Sequence, residues 1–260
     1  GAFDIPGPCA RQWLQLPNPN GRPNSDVLLP WCNGSDVTSR TTDTWIIDFG
    51  VSTPLTDASL YERPFEHVQT LVKPERLKNN DRGRRENWWR FGRNGADMRV
   101  ATQHLARLII TPRVAKHRLF VWLSQPVSPD SRLFVIARAD DTTFGILSSR
   151  VHELWSLAQA SIHGDGSDGG RPTYNAKSCF ETFPFPAGLT PADTAHQRTE
   201  ALEGGALIPA DLPDTLLAEN FKQNQPPAPV HQAQAAIKTI APRPAAMAIA
   251  QAAQRLNALR

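Results

Sequence analysis

The chain has 260 residues, 40% of them hydrophobic and 20% charged, with a formal net charge of +3. That length can bury a core, and the balance excludes a disordered chain. No apolar run approaches the roughly 18 residues that a membrane-spanning helix needs.

Residues 1–44 carry Pro6, Pro8, Pro17, Pro19, Pro23 and Pro30, which forbid a long helix and predict a loop-rich stretch. Trp45-Ile-Ile-Asp-Phe49, closed by Gly50, predicts a short buried strand. From Thr56 to about Arg76, the residues Tyr61, Phe65, Val68, Leu71 and Val72 recur at three- and four-residue steps, predicting an amphipathic helix despite Pro64. A polar turn is expected at residues 79–84. Residues 107–111, 119–123 and 133–137 are β-branched and aromatic runs separated by turn signals, the pattern of an antiparallel sheet. Residues 144–157 predict a helix entered through Ser148 or Ser149, with Val151, Leu154, Trp155 and Leu157 facing inward. Residues 162–171 are a glycine-rich loop. Phe183-Pro-Phe-Pro186 is expected to end the packed region. Beyond Thr190 proline and alanine dominate, residues 225–229 read as a linker, and 245–260 as a helix by propensity.

Cys9, Cys32 and Cys179 form no CxxC pair, which argues against a disulfide framework and a zinc cluster and predicts a reducing, cytoplasmic setting. No basic-then-apolar leader is visible at Gly1 and the last helix has no cap, so the chain is expected to be cut from something longer. The bases are unevenly spread. Residues 62–118 hold fourteen Lys and Arg against six Asp and Glu, a local excess of eight. Such an excess suits a polyanionic partner; a solvated face balanced by acids elsewhere explains it equally.

Catalytic patterns are missing. Asp48-Phe-Gly50 has neither a glycine-rich phosphate loop nor a His-Arg-Asp loop beside it, so it is no kinase site. The glycines near 164 do not form GxGxxG, the histidines show neither HxxxH nor HExxH, and no serine sits in GxSxG. Asp130, Asp140 and Asp141 lack the Glu-x-Lys partner of a magnesium nuclease. Cys179 reads better as a small buried residue than as a nucleophile.

What remains suits binding. Arg82, Arg84 and Arg85 precede Trp88-Trp89-Arg90-Phe91, offering arginines for phosphates, with aromatics that either plug the core or contact sugar and base. Arg113, Lys116, His117 and Arg118 concentrate cations at a strand entry, as a phosphate clamp or an exposed turn. In residues 161–177, His163, Ser167, Asp168, Arg171, Asn175 and Lys177 offer donors and acceptors on a backbone able to approach a groove. Arg171 is the best base reader, because a guanidinium bonds guanine O6 and N7 together.

Six segments occur in order: Gly21-Arg-Pro-Asn-Ser-Asp-Val27, Trp45-Ile-Ile-Asp-Phe-Gly50, Tyr61-Glu-Arg-Pro-Phe65, Thr111-Pro-Arg-Val-Ala-Lys-His-Arg118, Phe144-Gly-Ile-Leu-Ser-Ser149, and Tyr174-Asn175 with Phe180-Glu-Thr-Phe-Pro-Phe-Pro186. Together they resemble the target-recognition region of class I-like and MmeI-like adenine-specific DNA methyltransferases, enzymes of restriction–modification and phage defence. The resemblance spans about residues 1–190. It implies an α+β target-recognition domain with a small mixed or antiparallel sheet and packed helices, followed by a Pro/Ala-rich, partly helical tail. Residues 1–44 become a loop-rich connection from an upstream catalytic domain, 45–190 the recognition domain, and 191–260 a linker and C-terminal helix. About residues 193–246 fall outside the family pattern. The implied partners are double-stranded DNA and the upstream methyltransferase domain of the same polypeptide, with no membrane. S-adenosylmethionine is expected for the intact parent and not for this chain, which has no Asn-Pro-Pro-aromatic string to receive a flipped adenine. The alternative is a standalone specificity subunit that recruits a separate methylase or nuclease.

Overall fold

In the computed structural model, which describes residues 1–92, 95–164, 170–215 and 240–259, the prolines of the first 44 residues shorten elements rather than abolish them. Strand β1 (Asp4–Pro6) leads to helix α1 (Gly7–Trp13), where Pro8 occupies the first turn, the place at which a helix tolerates a missing N–H. A 3-10 turn (Asn24–Asp26) enters β2 (Leu28–Cys32), and Asn33 and Asp36 cap α2 (Gly34–Thr38) reciprocally. Strand β3 (Thr44–Ile47) pairs antiparallel with both β1 and β2, Ile46 standing opposite Asp4 and Leu29. Phe3, Ile5, Trp13 and Leu28 are buried in one core with Ile47 and Phe49. Residues 1–44 therefore belong to the first compact unit, Gly1–Ala137, which corrects the expected loop-rich connection. The pairings that order them reach across tens of residues, beyond any local window.

The amphipathic segment is three helices, α3 (Leu55–Ala58), α4 (Glu62–Leu71) and α5 (Lys73–Leu77). Pro64 falls in the first turn of α4, where its nitrogen has no helical partner to lose. Tyr61, Val68 and Val72 are buried as their spacing predicts, whereas Leu71 is 50% exposed. Helix α6 (Arg82–Glu86), capped by Asp81, occupies part of the expected polar turn. It is followed by α7 (Ala96–Thr102), β4 (Arg107–Pro112), β5 (Val121–Ser124), β6 (Ser128–Pro129) and β7 (Leu133–Ile136). Strand β4 is central in a three-stranded antiparallel sheet, with Ile109 opposite Trp122 on one side and Ile136 on the other. The sheet expected from the three apolar runs is present. Strand β6 joins β2 in parallel, completing a second sheet of order β1-β3-β2-β6.

The second unit, Arg138–Arg260, opens on two capped helices. Asp140 accepts from Thr143 N at 2.6 Å at the start of α8 (Asp141–Leu147), and Ser149 accepts from His152 N at 3.2 Å at the start of α9 (Arg150–Ala158). The helix expected over 144–157 is thus broken at Ser148–Ser149, and its inward face differs. Val151, Leu154 and Leu157 are 67%, 52% and 41% exposed, while His152 and Ser156 are buried. The inward turn of α9 is set by a buried hydrogen bond, His152 Nε2 lying 2.9 Å from the Tyr174 hydroxyl.

Packing continues past Pro186. A ribbon of β8 (Ile162–His163) and β9 (Arg171–Pro172) precedes a π-helical turn (Ala176–Phe180), a hairpin of β10 (Thr199–Ala201) and β11 (Leu207–Pro209), and α10 (Pro242–Ala258). Leu189, Ala206, Ile208, Leu212, Ala246 and Ala250 share a core with Ile146 and Phe183. The domain end expected at residue 190 is corrected: the last helix is a packed part of this unit. The linker expected at 225–229 lies outside the described residues. No described helix is long and apolar enough to cross a membrane.

Small residues let α8 and α10 approach closely. A Cβ on Gly145 would meet Ile249 Cγ2 at 2.7 Å and the Ile249 carbonyl oxygen at 3.1 Å. Gly145→Val is therefore expected to cost about 1–3 kcal/mol through overpacking. Urea unfolding checks this, and an unchanged midpoint would show that the two helices do not press together there.

Candidate nucleic-acid interface

The arginines of residues 82–90 are largely engaged within the fold. Arg82 Nε donates to Glu86 Oε1 at 2.7 Å, and Arg85 Nη1 donates to the Asn79 and Asn80 carbonyls at 2.7 and 2.9 Å. Arg90 reaches the Ser52 and Thr53 carbonyls and lies 5.0 Å over the Trp89 ring. Trp88 and Trp89 are only 6% and 7% exposed. Of the two readings open for them, the core plug is the one the structure adopts, and contact with sugar or base is corrected. Arg84 differs from its neighbours. Its Nε is buried without a hydrogen bond, and Asp81 stands 3.7 Å away. Glu66, Glu75, Asp81 and Glu86 all pair with bases of the same window, so much of the local excess rests on the later cations.

Three of those later bases, Arg113, Lys116 and Arg118, sit on the connection between β4 and β5. Arg113, Lys116 and His117 are exposed around buried Ala115, which pins the turn. The Arg113 guanidinium lies 5.1 Å over the Phe134 ring. Lys116 and His117 make no hydrogen bond or ion pair among the described residues. Arg118 donates to the Thr111 hydroxyl at 2.9 Å and to the Pro112 carbonyl, so it braces the turn from behind. An exposed cationic loop held by a buried alanine and an internal arginine is a rigid way to present charge.

In the second unit the glycine-rich loop is carried by the β8–β9 ribbon, where Ile162 faces Pro172 and His163 faces Arg171. Gly170, at φ +72°, is required by space as well as conformation. A Cβ there would lie 2.3 Å from Ile162 Cγ2 and 2.7 Å from the Gly164 carbonyl oxygen. The ribbon's base is tied by Thr173 N donating to the Ser161 carbonyl at 2.8 Å. Beneath it Tyr174, 1% exposed, bonds His152. His163, Arg171, Asn175 and Lys177 are all exposed, and Asn175 Nδ2 contacts Thr173 Oγ1 at 3.4 Å. The structure thus brings His163 and Arg171 onto one ribbon, with Asn175 and Lys177 just beyond its base. Ser167 and Asp168 lie outside the described residues.

Sequence reasoning missed two features of the first unit. One is an open hollow of about 650 Å³ at which three of the six quoted segments meet, through Arg22, Asp26, Asp48, Phe49 and Tyr61. There the Tyr61 hydroxyl and Arg22 Nε both donate to Asp26 Oδ2, at 3.0 and 2.8 Å, and Arg99 Nη2 donates to buried Asp48 at 2.6 Å. These bonds knit loop to helix, giving the segments a structural role. The other is Arg76, whose Nη1 is buried without a hydrogen bond; Glu75 and Lys78 around it read as an ordinary solvated helix face. Beside the three-stranded sheet, burial pushes the Cys32 thiol up to about 11, which disfavours the nucleophilic thiolate there.

No protein-family model matches the chain, and no curated protein matches it. Among solved structures it is similar to the type IIL restriction-modification enzyme MmeI, whose structure is a complex with DNA, at 16% identity and a TM-score of 0.54. The likeness covers 71% of this chain and 23% of that one, so the chain spans under a quarter of that enzyme's length. At this identity the likeness establishes a shared α+β fold over the matched part.

Proposed function

We propose that this chain is a DNA target-recognition module of a restriction–modification enzyme. The observation that carries the reading is its fold, shared over 71% of the chain with an enzyme of that kind solved on DNA. Two surfaces support it physically. Arg113, Lys116 and His117 present charge on a braced loop, suited to phosphates, which position a protein without reading sequence. The β8–β9 ribbon presents Arg171 and His163 on two strands, and a two-stranded ribbon fits the roughly 12 Å width of the major groove. Ile162, 61% exposed on the same ribbon, suits apolar contact with a thymine methyl.

The parent activity in this proposal is N6-adenine methylation by an upstream domain of the same polypeptide, which would hold S-adenosylmethionine. We place that cofactor outside this chain, on the ground of the two described glycines that flank its glycine-rich loop. Gly164 and Gly170 flank an antiparallel ribbon and do not stand at the strand-to-helix turn that cradles a nucleotide. No step of methyl transfer is placed on them.

The test is binding of a labelled duplex between about 50 and 200 mM salt, where log K should fall linearly with log salt. Arg113→Ala with Lys116→Ala should flatten the slope by about 0.9 for each phosphate lost, and equally for every duplex sequence. A wild-type chain without salt-dependent duplex binding would defeat the proposal. An unchanged slope in the double variant would place the phosphates away from this loop.

A further inference from the structure

A second cationic feature of the first unit does not resemble an exposed loop. Arg76 Nη1 and Arg84 Nε are both buried and neither has a hydrogen-bond partner. They line a depression of about 190 Å³ with Asp81, Gly83, Phe91 and Gly92. Buried donors left unpaired are costly, and more so when charged, so an arrangement holding two of them calls for an acceptor. The two nitrogens converge. A Cβ built on Gly92 would lie 2.8 Å from Arg84 Nε and 3.1 Å from Arg76 Nη1, so both donors pack towards the same glycine and any side chain there would crowd the two of them. Glycine at position 92 keeps the depression beside the two guanidiniums clear of a side chain.

The local charge favours an anion too. Two guanidiniums face one carboxylate, and Asp81 is too far from Arg84 Nε, at 3.7 Å, to satisfy its N–H. Burial first, and the neighbouring Arg84 charge second, hold the Arg76 guanidinium below its ordinary value, with Asp81 opposing. Arg76 is also oriented before any ligand arrives, its guanidinium lying 5.6 Å over the Phe3 ring. A guanidinium's planar fork of N–H groups matches phosphate oxygens as it does carboxylates, and arginine is the residue of choice for nucleic-acid phosphates.

We propose that Arg76 and Arg84, with Gly92 as the floor, form a seat for one tetrahedral phosphoryl oxyanion, supplied by a backbone phosphate of duplex DNA. The seat stands on the side chains themselves, while its occupation by DNA rests on the function proposed above. This contact differs in kind from the Lys116 loop. Here two arginines serve one phosphate, so their effects on binding are not additive.

The test has two arms. In the first, duplex binding is measured against salt for the wild type, Arg76→Gln, Gly92→Ala and the double variant. In the second, inorganic phosphate is titrated into protein carrying nitrogen-15 arginine, and the Arg84 Nε–H signal is followed. The expected result is a slope lower by about 0.9 in either single variant and no lower in the double, because one phosphate is lost in each case. Phosphate should shift the Arg84 signal saturably in the wild type and not in Gly92→Ala. If the wild type binds DNA and both variants keep its full slope, the seat is overturned and the DNA reading survives. If the wild type binds no DNA but phosphate shifts the Arg84 signal, the seat is upheld for free phosphate and its DNA source is overturned. If neither ligand acts, both are overturned.

Discussion

Replacing Trp88 by alanine is expected to destabilise the first unit by about 3–5 kcal/mol. The ring is 6% exposed and packs against Phe65 and Trp89, with centroids 5.5 and 5.9 Å away, while Lys73 Nζ lies 5.0 Å over its face. Removing it leaves a large cavity, because neither Phe65 nor Trp89 can swing in without abandoning its own contacts. Trp89 in particular is tethered through Nε1, which donates to the Thr53 carbonyl at 3.0 Å. Against a typical total of about 5–15 kcal/mol, the loss should lower the unfolding midpoint sharply. A variant that unfolds with the wild-type midpoint yet binds DNA more weakly would return Trp88 to the ligand surface.

Arg171→Ala should act in the opposite way, changing specificity and sparing stability. The side chain is exposed on β9 opposite His163, so its removal opens no cavity. If it reads a guanine through O6 and N7, its loss costs about 1–3 kcal/mol at that base pair. The preference for the cognate base then falls by about 5- to 150-fold, while affinity for unrelated duplexes changes little. Competition between duplexes that differ at single positions checks this, and an equal loss for every duplex would make Arg171 a phosphate contact instead.

What could be read in the sequence was local. The strands at 107–112, 121–124 and 133–136 are β-branched runs between turn signals, and short connections leave such runs only their neighbours to pair with. A serine cap at 148 or 149 is legible for the same reason, and Ser149 is the one that accepts from His152 N. Strand β1 was not visible, because three residues with a proline form a strand only when Thr44–Ile47, far along the chain, is there to receive them. The face of α9 was misread because apolar spacing alone favoured Val151 and Leu154, whereas a buried bond to Tyr174 turns His152 inward. The closing hairpin and helix were missed as parts of a core, since Leu207–Pro209 is too short to register and the alanines of α10 look like propensity rather than packing.

The site divides along similar lines. Exposed Arg113, Lys116, His117, His163 and Arg171 stand where a cationic loop and a glycine-rich turn suggested. Among the bases of 82–90, Arg85 and Arg90 donate to backbone carbonyls, an engagement that a sequence, which shows only their charge, does not reveal. Arg76 was under-read for the converse reason: what distinguishes it is the burial of one nitrogen.

The most direct measurement is selection of bound duplexes from a randomised pool by the chain itself, followed by sequencing. A DNA target-recognition module should enrich one short motif at moderate salt, and Arg171→Ala should relax that motif at a single position while leaving the rest intact. Recovery of the input pool without enrichment, by a folded chain, would contradict sequence recognition by this protein.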